Sequence, residues 1–131
     1  MRLAALTYQQ YMHLQDTLRP FITPCLKYCD LQLAELEHSI KDGVRLPVAF
    51  SEGRSVVGLM VLELTDDAVH ITTLAGDLPR NWHRTIFESM TEIAKSQNKT
   101  LLQCNGRKGW IRALKKFDAK MKNDLVTIEV A

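Results

Sequence analysis

Glu63, His70 and the start of a long helix carry the side chains most suited to chemistry in this sequence. Glu63 ends one strand-like segment and His70 lies on the next, so a carboxylate or an imidazole there could serve as a general base. Asn81, His83 and Arg84 open a helix, where unpaired N–H groups and cationic side chains favour a bound anion. For each of these residues, a polar side chain facing solvent without a ligand is the favoured interpretation.

A glycine-containing basic segment, NGRKGWIRALKKF, spans residues 105–117 directly after an apolar strand-like run. Its glycines suggest a phosphate loop, and its cations suggest contacts to nucleic acid phosphates. No set of aromatic side chains interleaves with the cations, so a solvated helix face is favoured over a nucleic-acid surface. The cations are Arg107, Lys108, Arg112, Lys115 and Lys116.

The chain has three cysteines, Cys25, Cys29 and Cys104, which cannot all pair with one another. A reducing compartment, the cytoplasm, is therefore the expected location. Cys25 and Cys29 together with His13 or His38 could hold a metal ion, but cysteines four apart are more often buried hydrophobic side chains, so no metal is predicted. Cys104 could be a nucleophile, yet no glycine-rich turn or local His/Asp pattern supports that role, and core packing is favoured.

Length and composition predict one globular domain that spans residues 1–131. The chain is 46% hydrophobic and 24% charged, which is typical of globular proteins and excludes disordered and fibrous classes. Its formal net charge of +2 is too small to imply polyanion binding by itself. No apolar run approaches the roughly 20 residues of a membrane span, and no secretory leader opens the sequence.

The first third of the chain has helical periodicity. A short strand is predicted at residues 3–6, followed by a helix that Thr7 caps and Pro20 interrupts. A second helix is predicted to begin at a cap on Asp30 and to stop at Gly43.

Three strand-like runs follow, at residues 46–50, 55–64 and 68–74. Their connections are short, polar and rich in turn residues, so they predict an antiparallel meander. Residues 56–62 are apolar on both faces, which marks a strand covered on two sides. Helices are therefore expected on both faces of the sheet.

The last third predicts a crossover. A long helix at residues 81–96 leads to a strand at residues 101–104, which such a helix would place parallel to the preceding strand. A further helix at residues 108–120 and a last strand at residues 125–130 complete the chain. The apolar stripe of the long helix consists of Trp82, Ile86, Met90 and Ile93. The fold class is α+β, with a mixed sheet in which an antiparallel meander is joined by a parallel fifth strand.

This order of elements resembles the GNAT (GCN5-related N-acetyltransferase) superfamily over essentially the whole chain. The segment VAFSEGRSVVGLMVLEL, residues 48–64, is similar to the GNAT hairpin in which a short turn precedes an apolar strand containing glycine. The resemblance implies a GNAT fold. It also implies a V-shaped cleft in which Glu63 or His70 could act as the general base.

The resemblance implies an acyl-CoA site with departures from the family pattern. The family binds the pyrophosphate on a loop of the form Gln/Arg-x-x-Gly-x-Gly/Ala, whose three motif positions fall here on Leu78, Asn81 and His83. The resemblance implies that pantetheine binds to the backbone amides of Leu74, Ala75 and Gly76. Asn105 matches the family asparagine after the fifth strand. Leu114 stands where the family has a tyrosine that protonates the departing thiolate.

Two functions remain open on these grounds. Because both the phosphate loop and the acid are altered, the favoured hypothesis is a non-catalytic protein that acts through protein partners and binds no cofactor. The turn Leu74-Ala75-Gly76 before the long helix makes it similar to GNAT-like internal virion proteins of short-tailed bacteriophages, so a phage-infected bacterial cytoplasm or the virion is the expected location. The alternative is a diverged N-acyltransferase that uses acetyl-CoA. Isothermal titration with acetyl-CoA separates the two.

Overall fold

The structure is a computed structural model that describes residues 1–78, 80–105, 119–122 and 125–130. The strands and helices occur in the order β1 (Arg2–Ala5), α1 (Tyr8–His13), α2 (Gln15–Ile22), a 3₁₀ turn (Thr23–Cys25), α3 (Leu26–Cys29), α4 (Leu33–Lys41), β2 (Arg45–Glu52), β3 (Ser55–Leu64), β4 (Ala68–Gly76), α5 (Trp82–Ser96), β5 (Leu101–Asn105), β6 (Lys120–Lys122) and β7 (Leu125–Glu129). None of the described helices has the length and apolar character needed to cross a bilayer.

The strands form one mixed sheet in the order β1-β2-β3-β4-β5-β7-β6. β1 and β3 are each antiparallel to β2, and the three-residue connection between β3 and β4 is too short for anything but a hairpin. β4 and β5 are parallel, whereas β7 is antiparallel to both β5 and β6. The predicted α+β class, with its meander and its parallel fifth strand, is confirmed.

The chain divides into two compact units that share β4. Unit 1 comprises Met1–Glu63 and Thr72–Leu78, and unit 2 comprises Leu64–Ile71 and Pro79–Ala131. The single domain over residues 1–131 stays a prediction.

The core of unit 1 lies between its helices and one face of β2 and β3. Its fully buried members include Tyr11 and Leu18 from the first helices and Leu59 from β3. The neighbouring residues Met60 and Leu62 point to the other face and are also fully buried, so β3 is covered on both faces as predicted.

Two predicted helix boundaries in unit 1 are wrong. The first helical stretch breaks at Leu14 rather than at Pro20, and α2 continues through Pro20, which is exposed. Leu18 and Ile22 lie one turn apart and are both fully buried, and this burial outweighs the backbone hydrogen bond that proline lacks. Asp30 does not cap α4. Its φ of 54° ends α3, a left-handed conformation that aspartate tolerates, and the N-cap of α4 is Gln32.

A buried polar network joins α1, α2 and α4 around the Glu37 carboxylate. Arg19 donates to it through two nitrogens, with Nη2–Oε1 at 2.8 Å and Nε–Oε2 at 3.1 Å. Tyr11 donates its hydroxyl to Oε2 at 2.6 Å, and Gln15 donates to the same oxygen at 3.3 Å. Burial alone would raise the pKa of Glu37, but the hydrogen bonds from Arg19, Tyr11 and Gln15 outweigh it and hold the pKa below its ordinary value.

Two glycines, Gly58 on β3 and Gly76 on β4, leave no room for a side chain between the two strands. A Cβ on Gly76 would lie 2.4 Å from both the Cα of Gly58 and the carbonyl oxygen of Val57, and a Cβ on Gly58 would lie 2.7 Å from the Phe50 ring. Asp77, the next residue, donates its N–H to the Val57 carbonyl at 2.8 Å. The glycine in the apolar strand therefore serves backbone packing.

Unit 2 places α5 against β5 and confirms the crossover. The buried side chains of α5 are Ile86, Phe87, Met90 and Ala94. Trp82 and Ile93 of the predicted stripe are only half-buried, because the buried face is centred nearer Phe87.

β7 confirms the predicted last strand. β6 is an addition, since Lys120, the last residue of the predicted helix at 108–120, lies in a strand paired with β7. Residues 108–118 of that helix lie outside the described residues.

Gly76→Ala should lower the free energy of unfolding by about 3 kcal/mol or more, because the new Cβ overlaps the β3 backbone and a φ of 145° disfavours alanine. Gly53→Ala is the matched control. Its φ of 58° is also positive, but nothing lies within 4 Å, so its cost is about 1 kcal/mol. Urea unfolding measures both. Equal losses would show that only backbone strain matters at Gly76.

Glu37→Gln should reduce stability at neutral pH by roughly 1–3 kcal/mol, because Tyr11 and Arg19 lose their charged acceptor. Since the folded-state pKa of Glu37 is lowered, its contribution is present above the unfolded value of about 4.3 and disappears as pH falls through the folded-state pKa. Denaturant melts from pH 7 to pH 3 should therefore show the gap between wild type and variant closing in acid. Exposed Glu92→Gln is the control, and a gap that stays constant with pH would contradict the prediction.

Candidate functional site

Three polar side chains meet on one face of the sheet in unit 1. Arg45 at the start of β2 and Glu63 near the end of β3 are paired across the strands, with Arg45 Nη2 3.7 Å from Glu63 Oε2. Arg45 Nε donates to the hydroxyl of Thr72 on β4 at 3.3 Å. Strand alternation puts Arg45 on the face of Ala49 and Glu63 on that of Val61, which is the face that the helices of unit 1 cover. We call these three residues the Arg45 cluster.

The Arg45 cluster is partly open to solvent. The side chain of Arg45 is 14% exposed and that of Glu63 is 35% exposed. Glu63 thus faces solvent in part and lies beside a guanidinium, and its role as a base stays a prediction. Arg45 and Thr72 were not predicted as site residues. The turn at Gly53 and Arg54 would by itself place Arg45 opposite Leu62, and an irregularity between Phe50 and Ser51 shifts the register by one residue, so the turn does not predict the pairing with Glu63.

His70, the second predicted base, lies on the part of β4 that belongs to unit 2. It is half-buried, and its Cα partner on β5 is Gln103. Its role as a base stays a prediction.

β4 extends well beyond its partner residues on β5. The parallel register covers four residues of β4, from Ala68 opposite Leu101 to Ile71 opposite Cys104. The strand then continues to Gly76 and includes the predicted pantetheine-binding residues Leu74 and Ala75. Leu74 and Ala75 are half-buried and Gly76 is exposed. The Leu74 carbonyl oxygen lies 3.8 Å from the thiol of Cys25.

Thr73 lies in the middle of this extension and carries an unsatisfied hydroxyl. The residue is 2% exposed. Within the described part of the chain, its Oγ1 is the only buried side-chain nitrogen or oxygen without a hydrogen-bond partner. A buried hydroxyl in this state costs folding free energy.

The start of α5 carries hydrogen-bond donors that could bind an anion. Asn81 is the N-cap, and its side chain makes no hydrogen bond to the helix, while no acidic residue lies in the first turn. His83 stacks on Trp82 with ring centroids 3.6 Å apart. Arg84 pairs with Glu88 one turn later at 3.0 Å, but both side chains are more than 60% exposed, so the pair is weak. The helix start therefore presents backbone N–H groups close to the exposed guanidinium of Arg84.

The remaining predicted residues fall on β5 or outside the described residues. Asn105 is exposed and ends β5, with Leu125 of β7 as its Cα partner. Leu114 and the five cations of the basic segment, Arg107, Lys108, Arg112, Lys115 and Lys116, lie outside the described residues. The nucleic-acid alternative for that segment stays untested.

The cysteines support packing rather than chemistry. Cys104 is buried, and this burial raises the pKa of its thiol to about 12, so it is not a thiolate nucleophile at neutral pH. Cys25 and Cys29 are half-buried thiols without a disulfide. Among the described residues, no group of three or more His, Cys, Asp and Glu side chains is placed to hold a metal ion.

The chain is similar to several solved acetyltransferase structures. Aminoglycoside 6′-acetyltransferase type Ii matches with a TM-score of 0.72 and 11% identity over 100% of this chain and 98% of that chain. Tetrahymena GCN5 matches with a TM-score of 0.67 and 12% identity over 100% of this chain and 97% of that chain. A predicted acetyltransferase from Clostridium acetobutylicum, solved with acetyl-CoA, matches with a TM-score of 0.67 and 8% identity over 94% of this chain and 92% of that chain.

No protein-family model matches the sequence, and no curated protein sequence matches it. At such low identities the structural matches show the fold alone. The chain has the GNAT fold that its order of elements predicted.

Thr73→Val should raise the free energy of unfolding by roughly 1–2 kcal/mol, because valine has nearly the same shape and removes the unsatisfied hydroxyl. Thr72→Val is the matched control, since the Thr72 hydroxyl accepts a hydrogen bond from Arg45 and its loss should cost about 1 kcal/mol. Urea melts of the two neighbouring variants should move in opposite directions. A loss of stability in Thr73→Val would show that the hydroxyl has a partner.

Proposed function

We propose that this protein is an N-acyltransferase that moves an acetyl group from acetyl-CoA to an amine. One observation carries the proposal: among the described residues, the parallel pairing of β4 to β5 ends at Ile71, whereas β4 continues as a strand to Gly76. A strand whose backbone groups lack a neighbouring strand on one side must pair them in another way. The amide-containing pantetheine arm of acyl-CoA offers matching groups, and the GNAT fold binds it on this strand.

Two groups of residues fit parts of acetyl-CoA, one group in unit 1 and the other in unit 2. In unit 1, the backbone of Leu74, Ala75 and Gly76 would hold the pantetheine arm. In unit 2, the first turn of α5 would hold the pyrophosphate through backbone N–H groups, because the Asn81 side chain does not occupy them and no acidic residue repels an anion there. The exposed guanidinium of Arg84 brings positive charge to this turn.

Glu63 is our candidate for the general base. Its carboxylate is 35% exposed, so an acceptor ammonium can reach it, and the nearest charged group is Arg45 at 3.7 Å. Bound acetyl-CoA supplies a thioester, whose carbon–sulfur bond breaks with the electron pair on sulfur as the carbon–nitrogen bond forms. Glu63 takes the first ammonium proton, which frees the nitrogen lone pair for this attack. The second proton leaves the new amide nitrogen for solvent or the thiolate.

The reaction should be slow, because Leu114 occupies the place of the family's acid. Leucine cannot donate a proton to the leaving sulfur. General acid catalysis contributes roughly 10²- to 10⁴-fold, so losing it lowers the rate without removing the reaction. A thiolate is also a tolerable leaving group, since an ordinary thiol has a pKa of about 8.5.

Isothermal titration with acetyl-CoA tests the proposal first. Micromolar binding is the expected result and would support the acyl-CoA site. The variant His83→Ala/Arg84→Ala should weaken the affinity, while Thr17→Ala, an exposed position on α2, should not. No binding to wild type at millimolar acetyl-CoA would overturn the proposal and favour the non-catalytic phage-type protein, which otherwise stays a prediction.

Glu63→Gln should lower kcat/KM for acetyl transfer to amines by roughly 10²- to 10⁴-fold while leaving the acetyl-CoA dissociation constant unchanged, because glutamine cannot accept the ammonium proton. Release of the CoA thiol measures the rate. Glu92→Gln, an exposed glutamate on α5, is the control. If the Glu63→Gln enzyme kept wild-type kcat/KM, the base would have to be another group, with His70 as the remaining candidate.

A further inference from the structure

The guanidinium of Arg45 has hydrogen-bond donors to spare. An arginine side chain carries five N–H donors. Within the described part of the chain, the one hydrogen bond of Arg45 runs from Nε to Thr72, and the Glu63 carboxylate, at 3.7 Å, is too distant for another. The terminal nitrogens are not sealed inside the protein, since Thr73 Oγ1 is the only buried and unpartnered side-chain atom described. The spare donors therefore face solvent from a side chain that is only 14% exposed.

A second arginine in the same unit shows what a structural ion pair looks like here. Arg19 donates two hydrogen bonds of 2.8 and 3.1 Å to the Glu37 carboxylate. Tyr11 and Gln15 each donate one more hydrogen bond to it. In the Arg45 cluster the pair is open, with neither charge fully satisfied by the other. Glu63 accepts no hydrogen bond from any described residue. A site that keeps a carboxylate and a guanidinium close together but unsatisfied is built to receive the opposite charges.

We propose that the Arg45 cluster recognises α-amino acids as acceptors, with Arg45 binding the acceptor carboxylate and Glu63 binding its ammonium. This assignment rests on the proposed acyl transfer for the fate of the amine. The planar guanidinium matches a carboxylate, and the spacing of 3.7 Å between the two charges suits a ligand whose own charges are one carbon apart. A phosphate is disfavoured, because its double negative charge would meet Glu63.

The position of the cluster on β4 agrees with this role. Thr72, which anchors the guanidinium, is two residues before Leu74, where the pantetheine arm would bind. An amino acid held on Arg45 would thus place its nitrogen near the strand segment that holds the thioester. Arg45 is in this sense a specificity-determining residue, and Glu63 combines ligand binding with proton removal.

Matched pairs of ligands test the proposal: L-phenylalanine against 2-phenylethylamine, and L-histidine against histamine. Each pair differs by the carboxylate alone. Wild-type protein should bind the amino acid at least about tenfold more tightly than the amine in titrations without acetyl-CoA, since a charge-assisted pair is worth about that factor or more. Equal affinities of wild type for the two members of both pairs would overturn the proposal, whatever any variant does.

Arg45→Gln and Arg45→Lys then locate the recognition. In the glutamine variant, the ratio of kcat/KM for the amino acid over the amine should fall about tenfold or more, and the lysine variant should lie between it and wild type. Arg54→Gln, an exposed arginine in the β2–β3 turn, should keep the wild-type ratio. A merely structural Arg45 would instead lower both rates together and leave the ratio unchanged, which would overturn the assignment.

The outcomes for the two proposals are separable. Amino-acid binding that depends on Arg45, without acetyl transfer, would retain the recognition site and remove the proposed function. Acetyl transfer to amines with no preference for amino acids would retain the function and remove the recognition site. Absence of both would overturn both.

Discussion

The approach of Gly58 to Gly76 is the constraint on which the candidate site depends. With no side chain at either position, the backbones of β3 and β4 stay together to the end of β4, where Asp77 still bonds to Val57. In contrast, Ile71 is the last residue of β4 that pairs with β5 among the described residues. β4 is thereby held along its edge with β3 up to its last residue. A larger side chain at Gly76 would overlap the backbone of Val57 and Gly58 and push the two strands apart.

The two arginine–glutamate pairs of unit 1 differ in how closely their charges approach each other. The Arg19–Glu37 pair joins three helices and has its hydrogen bonds made within the protein. The Arg45–Glu63 pair lies at the ends of strands, where the sheet fixes the backbones and so the charges, although the side chains do not bond closely. A preorganised pair that remains partly open loses little when a ligand takes one of its charges.

The fold was more predictable than the site. Strand segments such as residues 55–64 alternate or are continuously apolar, and Thr7 and Gly43 mark helix ends, so local periodicity placed most elements. Pro20 and Asp30 misled because their local preferences were overridden, by burial of Leu18 and Ile22 in one case and by a left-handed turn in the other. β6 is three residues long, which is too short to show the alternating hydrophobic pattern of a strand. Glu63 was identified as a candidate, but its partners were not.

The sequence by itself determined the GNAT-type order of strands and helices, because hydrophobic periodicity and turn residues act over a few neighbouring positions. It also excluded Leu114 as a proton donor, since leucine carries no acidic proton in any conformation. Only the tertiary structure decided that Arg45 reaches both Glu63 and Thr72, residues that come from three different strands. Only it decided that Thr73 is buried without a partner. Such contacts depend on strand register and on which face each side chain takes, and these are fixed when the sheet assembles rather than by neighbours in the chain.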